Sequence, residues 1–242
     1  MIVILANRPS YGAANLRKAL AERGIEVRRK GDDYQRGDFV VNWGSYGYDL
    51  GPRRGLLRVL NPNIIGDKYR ELNMLRENEI PVPPYRVSPH EGYRARRSTH
   101  EEANDLLANL ARGDYYVRIV PTEDEMRFHI WENALGIRVS IKADVKVPMR
   151  PDADPVFRST EGGWTLTNQP DRVPVRRRDA MREVAKQAVA AVGYNFGAVD
   201  IAWNTETNQP VVFEVNSAPG VVGNDLPIYA DQVEELYRAA RG

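Results

Sequence analysis

Over the first 60 residues, the spacing of apolar and polar positions is alternately typical of β-strands and of an α-helix. The run MIVIL predicts a first strand, residues 15–23 have helical spacing that ends at Gly24, and IEVRR and GDFVVNWGS predict two more strands. This order is typical of a parallel sheet, whose ligand-facing loops lie at the carboxyl ends of its strands. Asn7 and residues 42–45 occupy such positions. No Gly-rich dinucleotide fingerprint follows the first strand, so a Rossmann cofactor site is not expected.

The middle of the chain predicts one capped helix and then a set of strands. Asp67 can cap a helix over residues 68–78, which the segment PVPP ends. YRVS and YYVRIV predict two strands within residues 85–120, with a helix over residues 100–111 between them. TEDEMRFHIWENALGIRVSIKADVKV then predicts a β-hairpin.

The carboxyl-terminal part predicts a polar segment, a helix, a second hairpin and a final helix. Residues 148–175 are polar and Pro-rich, interrupted by EGGWTLTN, and a helix over residues 178–192 ends at Gly193. The hairpin AVDIAWNTETNQPVVFEVN follows, and a terminal helix spans residues 231–240.

The second hairpin carries acidic residues among apolar ones. If its pairing is symmetric about Thr207, Asp200 lies directly across from Glu214, and Asn216 shares the face of Glu214 because strand side chains repeat every two residues. Like charges opposed across a sheet destabilise it unless a positive group lies between them. Two carboxylates and an amide oxygen suit a hard cation, of which Mg²⁺ fits best because phosphate and water can complete its shell. Spacing alone leaves open a second interpretation, an exposed hairpin whose acids face solvent or pair with arginine.

Composition and charge narrow the class of protein. The 242 residues carry a formal net charge of +1 and no cysteine, which argues against a general nucleic-acid coat and excludes disulfides, thiolate nucleophiles and Cys-type zinc sites. The apolar start Met1–Leu5 is too short for a signal peptide, and no apolar run approaches the roughly 20 residues of a membrane helix. We therefore expect a cytoplasmic protein without a membrane partner.

The second hairpin and two further motifs resemble one family. The second hairpin resembles the carboxyl-terminal part of ATP-grasp superfamily sequences, in which a strand Asp is followed by Glu-x-Asn and a small-Pro-Gly turn. The segments that carry this resemblance are GAVDIAWN and PVVFEVNSAPGV. The similarity is greatest to the carboxylate–amine ligase branch, which includes glutamate ligases acting on peptides and ribosomal protein. GDKYRELNMLRENEIPVP resembles that family's Asp-Lys helix and its exit, and EMRFHI resembles its acidic-x-Arg strand. Together these motifs span residues 40–225.

The resemblance implies an α/β and α+β fold with three lobes. They are a Rossmann-like amino-terminal lobe (1–65), a linker helix with a small central lobe (66–122) and a carboxyl-terminal lobe with the metal and ATP site (123–242). In that family one or two magnesium ions bridge the ATP phosphates, and the positions of their ligands are here Asp200, Glu214 and Asn216.

The same resemblance implies roles for charged residues outside the hairpin. Lys68 would contact the ATP phosphates, against the alternative of a solvated first-turn lysine. Lys142 would be a second phosphate or base contact, against the alternative of a cross-strand pair with Glu125. An acidic residue of Glu123–Glu125 would bind the ribose. Arg127 would face the γ-phosphate or the acyl phosphate and stabilise the charge that develops there, the alternative being a solvated strand face.

Further residues complete the expected site. The segment YVRIVP resembles the hinge strand that receives adenine, with Val117 and Ile119 as apolar walls. Arg158 could reach the phosphates or an acidic substrate, with surface charge as the alternative. Asn168 resembles a polar position near the metal. His129 shares the strand face of the acidic-x-Arg motif and is expected to be structural.

The chain departs from the family in the central lobe. The family has a Lys-containing strand and a flexible Gly-rich loop that closes over the phosphates, whereas this chain has EGYRARRSTHEEANDL, with one glycine and no lysine. Arg94, Arg96 or Arg97 would replace the lysine. The shortened lid raises the alternative of lost activity.

The expected function is that of a carboxylate–amine ligase that uses ATP and Mg²⁺. A substrate carboxylate would attack the γ-phosphate to give an acyl phosphate and ADP, and an amine would then displace phosphate. The two substrates would be small molecules, peptides or proteins, and a homodimer is left open. The alternatives are an ATP-binding ATP-grasp-like protein without ligase activity and an arginine-rich nucleic-acid-binding protein, of which the second fits the near-neutral charge less well.

Overall fold

The described part of the chain forms three β-sheets, each built from a different segment. One is parallel and four-stranded, and the other two are antiparallel with three and five strands, which confirms the predicted combination of α/β and α+β structure. The computed structural model describes residues 1–6, 10–28, 35–46, 55–96, 98, 113–155, 158–221 and 223–242.

The first sheet is the predicted parallel unit. Its strands, in the spatial order β2–β1–β3–β4, are β1 (Ile2–Leu5), β2 (Val27–Arg28), β3 (Phe39–Asn42) and β4 (Arg58–Leu60). Helix α1 (Tyr11–Glu22) begins earlier than predicted because the side chain of Ser10 caps it, accepting a hydrogen bond from the backbone N–H of Ala13 at 3.3 Å. Asn7, at the end of β1, lies outside the described residues.

A capped helix leads into the small antiparallel sheet. Helix α2 (Lys68–Glu77) begins as predicted, since the side chain of Asp67 accepts a hydrogen bond from the backbone N–H of Arg70 at 2.9 Å. The predicted helix over 100–111 falls in a part of the chain that the structure does not describe. The sheet has the order β5–β7–β6, and its strands are β5 (Tyr85–Arg86), β6 (Tyr93–Arg96) and β7 (Tyr115–Arg118).

The large antiparallel sheet has one apolar and one charged face. In the order β10–β9–β8–β11–β12, its strands are β8 (Thr122–Glu132), β9 (Arg138–Pro148), β10 (Trp164–Thr167), β11 (Phe196–Asn204) and β12 (Gln209–Asn216). Helix α3 (Val175–Ala191) packs on the apolar face, where Met181 and Val189 join Met126, Phe128 and Val199 in one buried cluster. The charged residues of the same strands therefore lie on the opposite face.

The last helix packs on the first sheet. Helix α4 (Asp225–Arg241) begins before the predicted residue 231, and its buried Tyr229, Val233 and Leu236 join the side chains of β1, β3 and α1 in one apolar cluster. Trp131 and Phe196, from the end of the large sheet, stack in that cluster with ring centroids 4.7 Å apart. The first sheet, α4 and this end of the large sheet thus share one core.

Polar residues occur along every helix of the described part of the chain. None of these helices combines the length and the apolar character that crossing a membrane requires.

Candidate functional site

A cleft of about 1180 Å³ lies between the three-stranded sheet and the charged face of the five-stranded sheet. Side chains from α2, β6, β7, β8, β9, β11 and β12 line it, together with the segment that precedes β10. The cleft brings together nine of the twelve predicted site residues, which are Lys68, Val117, Ile119, Glu123, Glu125, Arg127, Arg158, Asp200 and Glu214.

The last hairpin places Asp200 directly opposite Glu214, as the sequence predicts. The pairing is not symmetric as expected, because Ile201 faces Val212 and a β-bulge then skips Phe213 before the ladder resumes. A regular ladder would have put Phe213 opposite Asp200 and turned Glu214 to the other face. The bulge is therefore what brings the two carboxylates together.

Arg127 of β8 supplies the positive charge at Asp200. The two residues face each other in the β8–β11 ladder, and Nε and Nη2 of Arg127 donate hydrogen bonds to the two carboxylate oxygens at 2.6 and 2.7 Å. Burial of Asp200 disfavours its charged form, but the hydrogen bonds from Arg127 outweigh burial and hold the pKa of Asp200 below its usual range. Asp200 is thus paired with an arginine in this structure.

Lys68 supplies the positive charge at Glu214. The cap at Asp67 starts α2 at Lys68, whose Nζ lies 3.5 Å from a carboxylate oxygen of Glu214 and 3.5 Å from one of Glu71. Burial lowers the pKa of Lys68, but the two carboxylates outweigh burial and raise that pKa above its ordinary value. Glu71 also accepts a hydrogen bond from the backbone N–H of Val215 at 2.9 Å, which ties α2 to β12 beside Glu214.

Glu71 is a residue of the cleft that the sequence prediction omits. Its carboxylate is buried, and burial raises its pKa against the opposing effect of Lys68. The signal for it in the sequence is an acidic residue on the same helix face as Leu72 and Leu75, which are both buried. A buried acid on a short helix needs a partner, and here the partners are Lys68 and the backbone of β12.

A second group of charges lies on β8, β9 and the segment before β10. Lys146 forms an ion pair with Glu125, and burial raises the pKa of Glu125 despite that lysine. Arg158 lies over the ring of Trp164, 5.0 Å from its centroid, and donates a hydrogen bond to the backbone oxygen of Thr122 at 2.7 Å. The Nε atom of Arg158 is buried and has no hydrogen-bond partner among the described residues. A ligand oxygen in the cleft could satisfy it.

The cleft also has an apolar part and a charged mouth. Glu123 is more exposed than Glu125, with 58% of its side chain accessible against 10%, and it pairs with Arg177 at 2.7 Å. The apolar lining comes from Val117, Ile119, Val120, Leu166 and Phe213.

Three predicted site residues do not line the cleft, namely Lys142, Asn168 and Asn216. The amine of Lys142 lies 2.7 Å from a carboxylate oxygen of Asp144 and also pairs with Asp225 at the start of α4, so it does not form the cross-strand pair with Glu125. Asn168 is exposed after β10. Asn216 accepts a hydrogen bond from the backbone N–H of Ala218 at 2.9 Å, which shapes the turn after β12.

The network around Lys142 continues to His129 beneath α4. His129 is buried, with Nδ1 2.7 Å from the hydroxyl oxygen of Tyr229 and Nε2 3.5 Å from Asp144. Ligand-type atoms of His129, Asp144 and Asp225 lie within 4.8 Å of one another, a spacing that could hold a metal ion. The ammonium of Lys142 already pairs with both carboxylates, so this cluster contains its own cation.

The three-stranded sheet contributes arginines where the family has a lysine. Arg94 and Arg96 of β6 line the cleft, whereas Arg97 lies outside the described residues. Burial and the neighbouring charge of Arg96 lower the pKa of Arg94 to about 10, against the opposing effect of Asp154. The two arginines make this wall of the cleft cationic.

The donor set of the cleft fits a hard divalent cation together with a polyphosphate. Asp200 and Glu214 offer oxygen atoms alone, which are the ligands that Mg²⁺ prefers. The surrounding arginines suit phosphate oxygens, and so does the buried Nε of Arg158, which lies 4.0 Å from Glu125 and forms no hydrogen bond with the described residues.

Solved structures resemble the chain in fold, although no protein-family model and no curated protein matches it. Carboxyaminoimidazole ribonucleotide synthase from Aspergillus clavatus, complexed with ATP, has a TM-score of 0.71 at 12% identity over 98% of this chain and 76% of that chain. The RimK domain ATP-grasp protein from Sphaerobacter thermophilus has a TM-score of 0.58 at 14% identity over 100% and 99% of the two chains. The ATP-grasp ligase PsnB, complexed with minimal precursor, Mg and ADP, has a TM-score of 0.60 at 16% identity over 98% and 97%.

These similarities extend over 98 to 100% of this chain. They agree with the resemblance carried by the Asp-Lys helix, the acidic-x-Arg strand and the last hairpin. The chain has the ATP-grasp fold.

Proposed function

We propose that the chain is an ATP-dependent ligase that joins a carboxylate to an amine. The observation that carries this proposal is the facing pair Asp200 and Glu214, held in a cleft whose walls are cationic. The structural neighbours support it, since they include an ATP-grasp ligase complexed with Mg and ADP and a synthase complexed with ATP.

The nucleotide would lie with its base in the apolar part of the cleft. Val117, Ile119 and Phe213 offer the apolar surface that a base packs against. Of the three acids at 123–125, one of which is predicted to bind the ribose, Glu123 is the most accessible, because Asp124 is only 22% exposed and Glu125 is buried and paired with Lys146. The ribose hydroxyls would therefore be bound at the mouth of the cleft.

The triphosphate would meet the cationic residues. Lys68, Arg127 and Arg158 would bind phosphate oxygens, and Arg94 and Arg96 would take the place of the missing lysine. Mg²⁺ would be held by Asp200 and Glu214 and would supply positive charge to the phosphate oxygens. Asn216, which lies outside the cleft, would act on this region through the turn after β12 that it stabilises, whereas the exposed Asn168 is given no role.

The reaction would proceed in two displacements. An oxygen of the substrate carboxylate attacks the γ-phosphorus, the bond to the bridging oxygen of ADP breaks, and an acyl phosphate forms. The amine nitrogen then attacks the acyl carbon, inorganic phosphate leaves, and the nitrogen loses a proton. The chain supplies no nucleophile, so its residues act by alignment and by stabilising charge on the transferred phosphoryl group.

The acceptor side of the site would be shaped by the first sheet. After β3, Asn42 and Ser45 exchange two hydrogen bonds of 2.9 Å, which fix the loop at the carboxyl end of the strand. Gly44 lies against Ala218, so closely that a Cβ added to it would come within 2.6 Å of the alanine Cβ. The loop after β3 and the turn after β12 therefore meet, which places this end of the first sheet next to the hairpin that carries Glu214.

The test is ADP release with pooled amino acids and peptides, followed by mass detection of the product. We expect a product whose mass equals the two substrates less one water, and no product from D200N or E214Q. Mg-ATP should raise the melting temperature of the wild-type chain but of neither variant. E206Q is the matched control, because Glu206 is a half-exposed residue of the same hairpin whose partner is Arg118. Stabilisation by Mg-ATP that persists in both D200N and E214Q would contradict the proposal.

The same measurements distinguish the two alternatives. A nucleotide-binding protein without ligase activity would be stabilised by Mg-ATP and release no ADP with any acceptor. A nucleic-acid-binding protein would show salt-sensitive binding that survives D200N. The arginines at the start of α3 argue against the second alternative, because Arg177 is paired with Glu123 and Asp124, and Arg178 is paired with Asp171.

A further inference from the structure

The two carboxylates expected to hold a metal are each already bound to a cation of the protein. Arg127 pairs with Asp200, and Lys68 pairs with Glu214. We propose that these two cations make the site selective for a metal–nucleotide complex over a free divalent cation. The inference rests on the proposed function and adds to it a specificity-determining role for Arg127 and Lys68.

At Asp200 both carboxylate oxygens are engaged. The guanidinium of Arg127 forms two hydrogen bonds with them, at 2.6 and 2.7 Å, and the Asp200 side chain is only 17% exposed. A free cation has to displace this guanidinium to bind. The displaced arginine would then lose a charge-assisted pair in a mostly buried position, which makes the exchange unfavourable unless another anion receives it.

At Glu214 the competing ion pair is longer than at Asp200, and its lysine has a second carboxylate partner. Lys68 lies 3.5 Å from Glu214 and 3.5 Å from Glu71, so it is shared by two carboxylates. If Glu214 turns to a metal, Glu71 still neutralises Lys68. Glu71 itself stays fixed by its hydrogen bond from the backbone N–H of Val215. The lysine can therefore be released from Glu214 without being left unpaired.

The charges explain the selectivity. Asp200, Glu214 and Glu71 carry three formal negative charges, and Arg127 and Lys68 carry two positive charges, so a free divalent cation meets carboxylates whose charge is largely neutralised. A polyphosphate that arrives with the metal offers anionic oxygens to the arginine and the lysine while the metal takes the carboxylates. Arg127 and Lys68 then exchange their carboxylate partners for phosphate oxygens and are not left unpaired. We therefore expect the metal and the polyphosphate each to increase the affinity of the site for the other.

The test is titration of the full chain with Mn²⁺, by calorimetry and by the electron spin resonance signal of the free ion, with and without a non-hydrolysable ATP analogue. The wild-type chain should bind Mn²⁺ at least about tenfold more tightly with the analogue than without it. R127M and K68M remove one cation each, and both should bind Mn²⁺ alone about tenfold or more tighter than the wild-type chain. K68M provides a second route in case R127M, with Asp200 left unpaired, fails to fold.

R177M is the matched control, because Arg177 also pairs with two acids on β8, Glu123 and Asp124, but touches neither Asp200 nor Glu214. Its affinity for Mn²⁺ alone should stay at the wild-type value. An equal gain in R177M, or no gain in R127M and K68M while the wild-type chain binds Mn²⁺ with the analogue, would overturn the selectivity and leave the proposed function intact. A wild-type chain that binds neither Mn²⁺ nor the analogue would overturn both.

Discussion

Glu71 joins two functions in one side chain. One carboxylate oxygen accepts the backbone N–H of Val215, and the other lies 3.5 Å from the amine of Lys68. Because Glu71 belongs to α2 and accepts a hydrogen bond from the backbone of β12, it fixes the distance between this helix and this strand. Lys68 and Glu214 are therefore held together by the backbone as well as by their charges.

Two substitutions separate the contribution of the Glu71 hydrogen bond from that of its charge. E71L removes the acceptor of the buried Val215 N–H and should lower the free energy of unfolding by about 1–3 kcal/mol. E71Q keeps an oxygen in the same place and should lose less, while it still removes the charge next to Lys68. Urea denaturation measures both. Equal losses in E71L and E71Q would show that the hydrogen bond to β12 is not what stabilises this contact.

Helix α2 is the element that delivers Lys68 to the site. Its first turn is set by the cap at Asp67, so that Lys68 is the first residue of the helix. A short helix depends strongly on its cap, because its first N–H groups have no partner within the helix. The cap thus has a role in the position of the lysine as well as in stability.

The cap predicts a clear difference between two variants. D67A should lower the free energy of unfolding by about 1 kcal/mol, because the backbone N–H of Arg70 loses its acceptor. D67N should keep nearly all of the wild-type stability, since asparagine caps as well as aspartate. Chemical denaturation followed by circular dichroism gives both values. A D67N variant as unstable as D67A would show that the charge of Asp67, rather than its cap, matters.

At the scale of the whole molecule, α4 connects the two ends of the chain. Leu236 and Val233 are buried with Leu16 of α1 and Phe39 of β3, and the stacked Trp131 and Phe196 belong to the same cluster. One face of the first sheet therefore shares its core with the carboxyl-terminal helix, whereas the other face has a small cluster of its own around Val3, Leu5 and Val40. We expect these parts to unfold together.

L236A tests this shared core. The substitution removes a fully buried side chain and should lower the free energy of unfolding by about 2–5 kcal/mol. L135A is the matched control, because Leu135 is 82% exposed in the β8–β9 turn and should change stability by less than about 0.5 kcal/mol. Tryptophan fluorescence and circular dichroism should report one coincident transition in both variants. Separate transitions would mean that the first sheet unfolds independently.

The sequence predicts local features well and tertiary partners poorly. The cap at Asp67 and the two long hairpins depend on nearby residues, and the structure contains all of them. The partner of Glu125 depends on the register between β8 and β9, and Lys142 and Lys146 share one strand face, so the alternation of side chains could not choose between them. The sequence marks Glu71 as an acid on a buried helix face, but its role depends on a strand 144 residues away that the sequence does not identify as its partner.

The β-bulge after Val212 has a consequence for how the cleft is assembled. Consecutive residues of a regular strand point to opposite faces, yet Phe213 and Glu214 both line the cleft. Under the proposed function, one peptide link would join the apolar surface for a nucleobase to a carboxylate for the phosphate end. The distance between these two parts of the site would then be set by two adjacent residues, and an insertion or deletion in loops elsewhere would leave it unchanged.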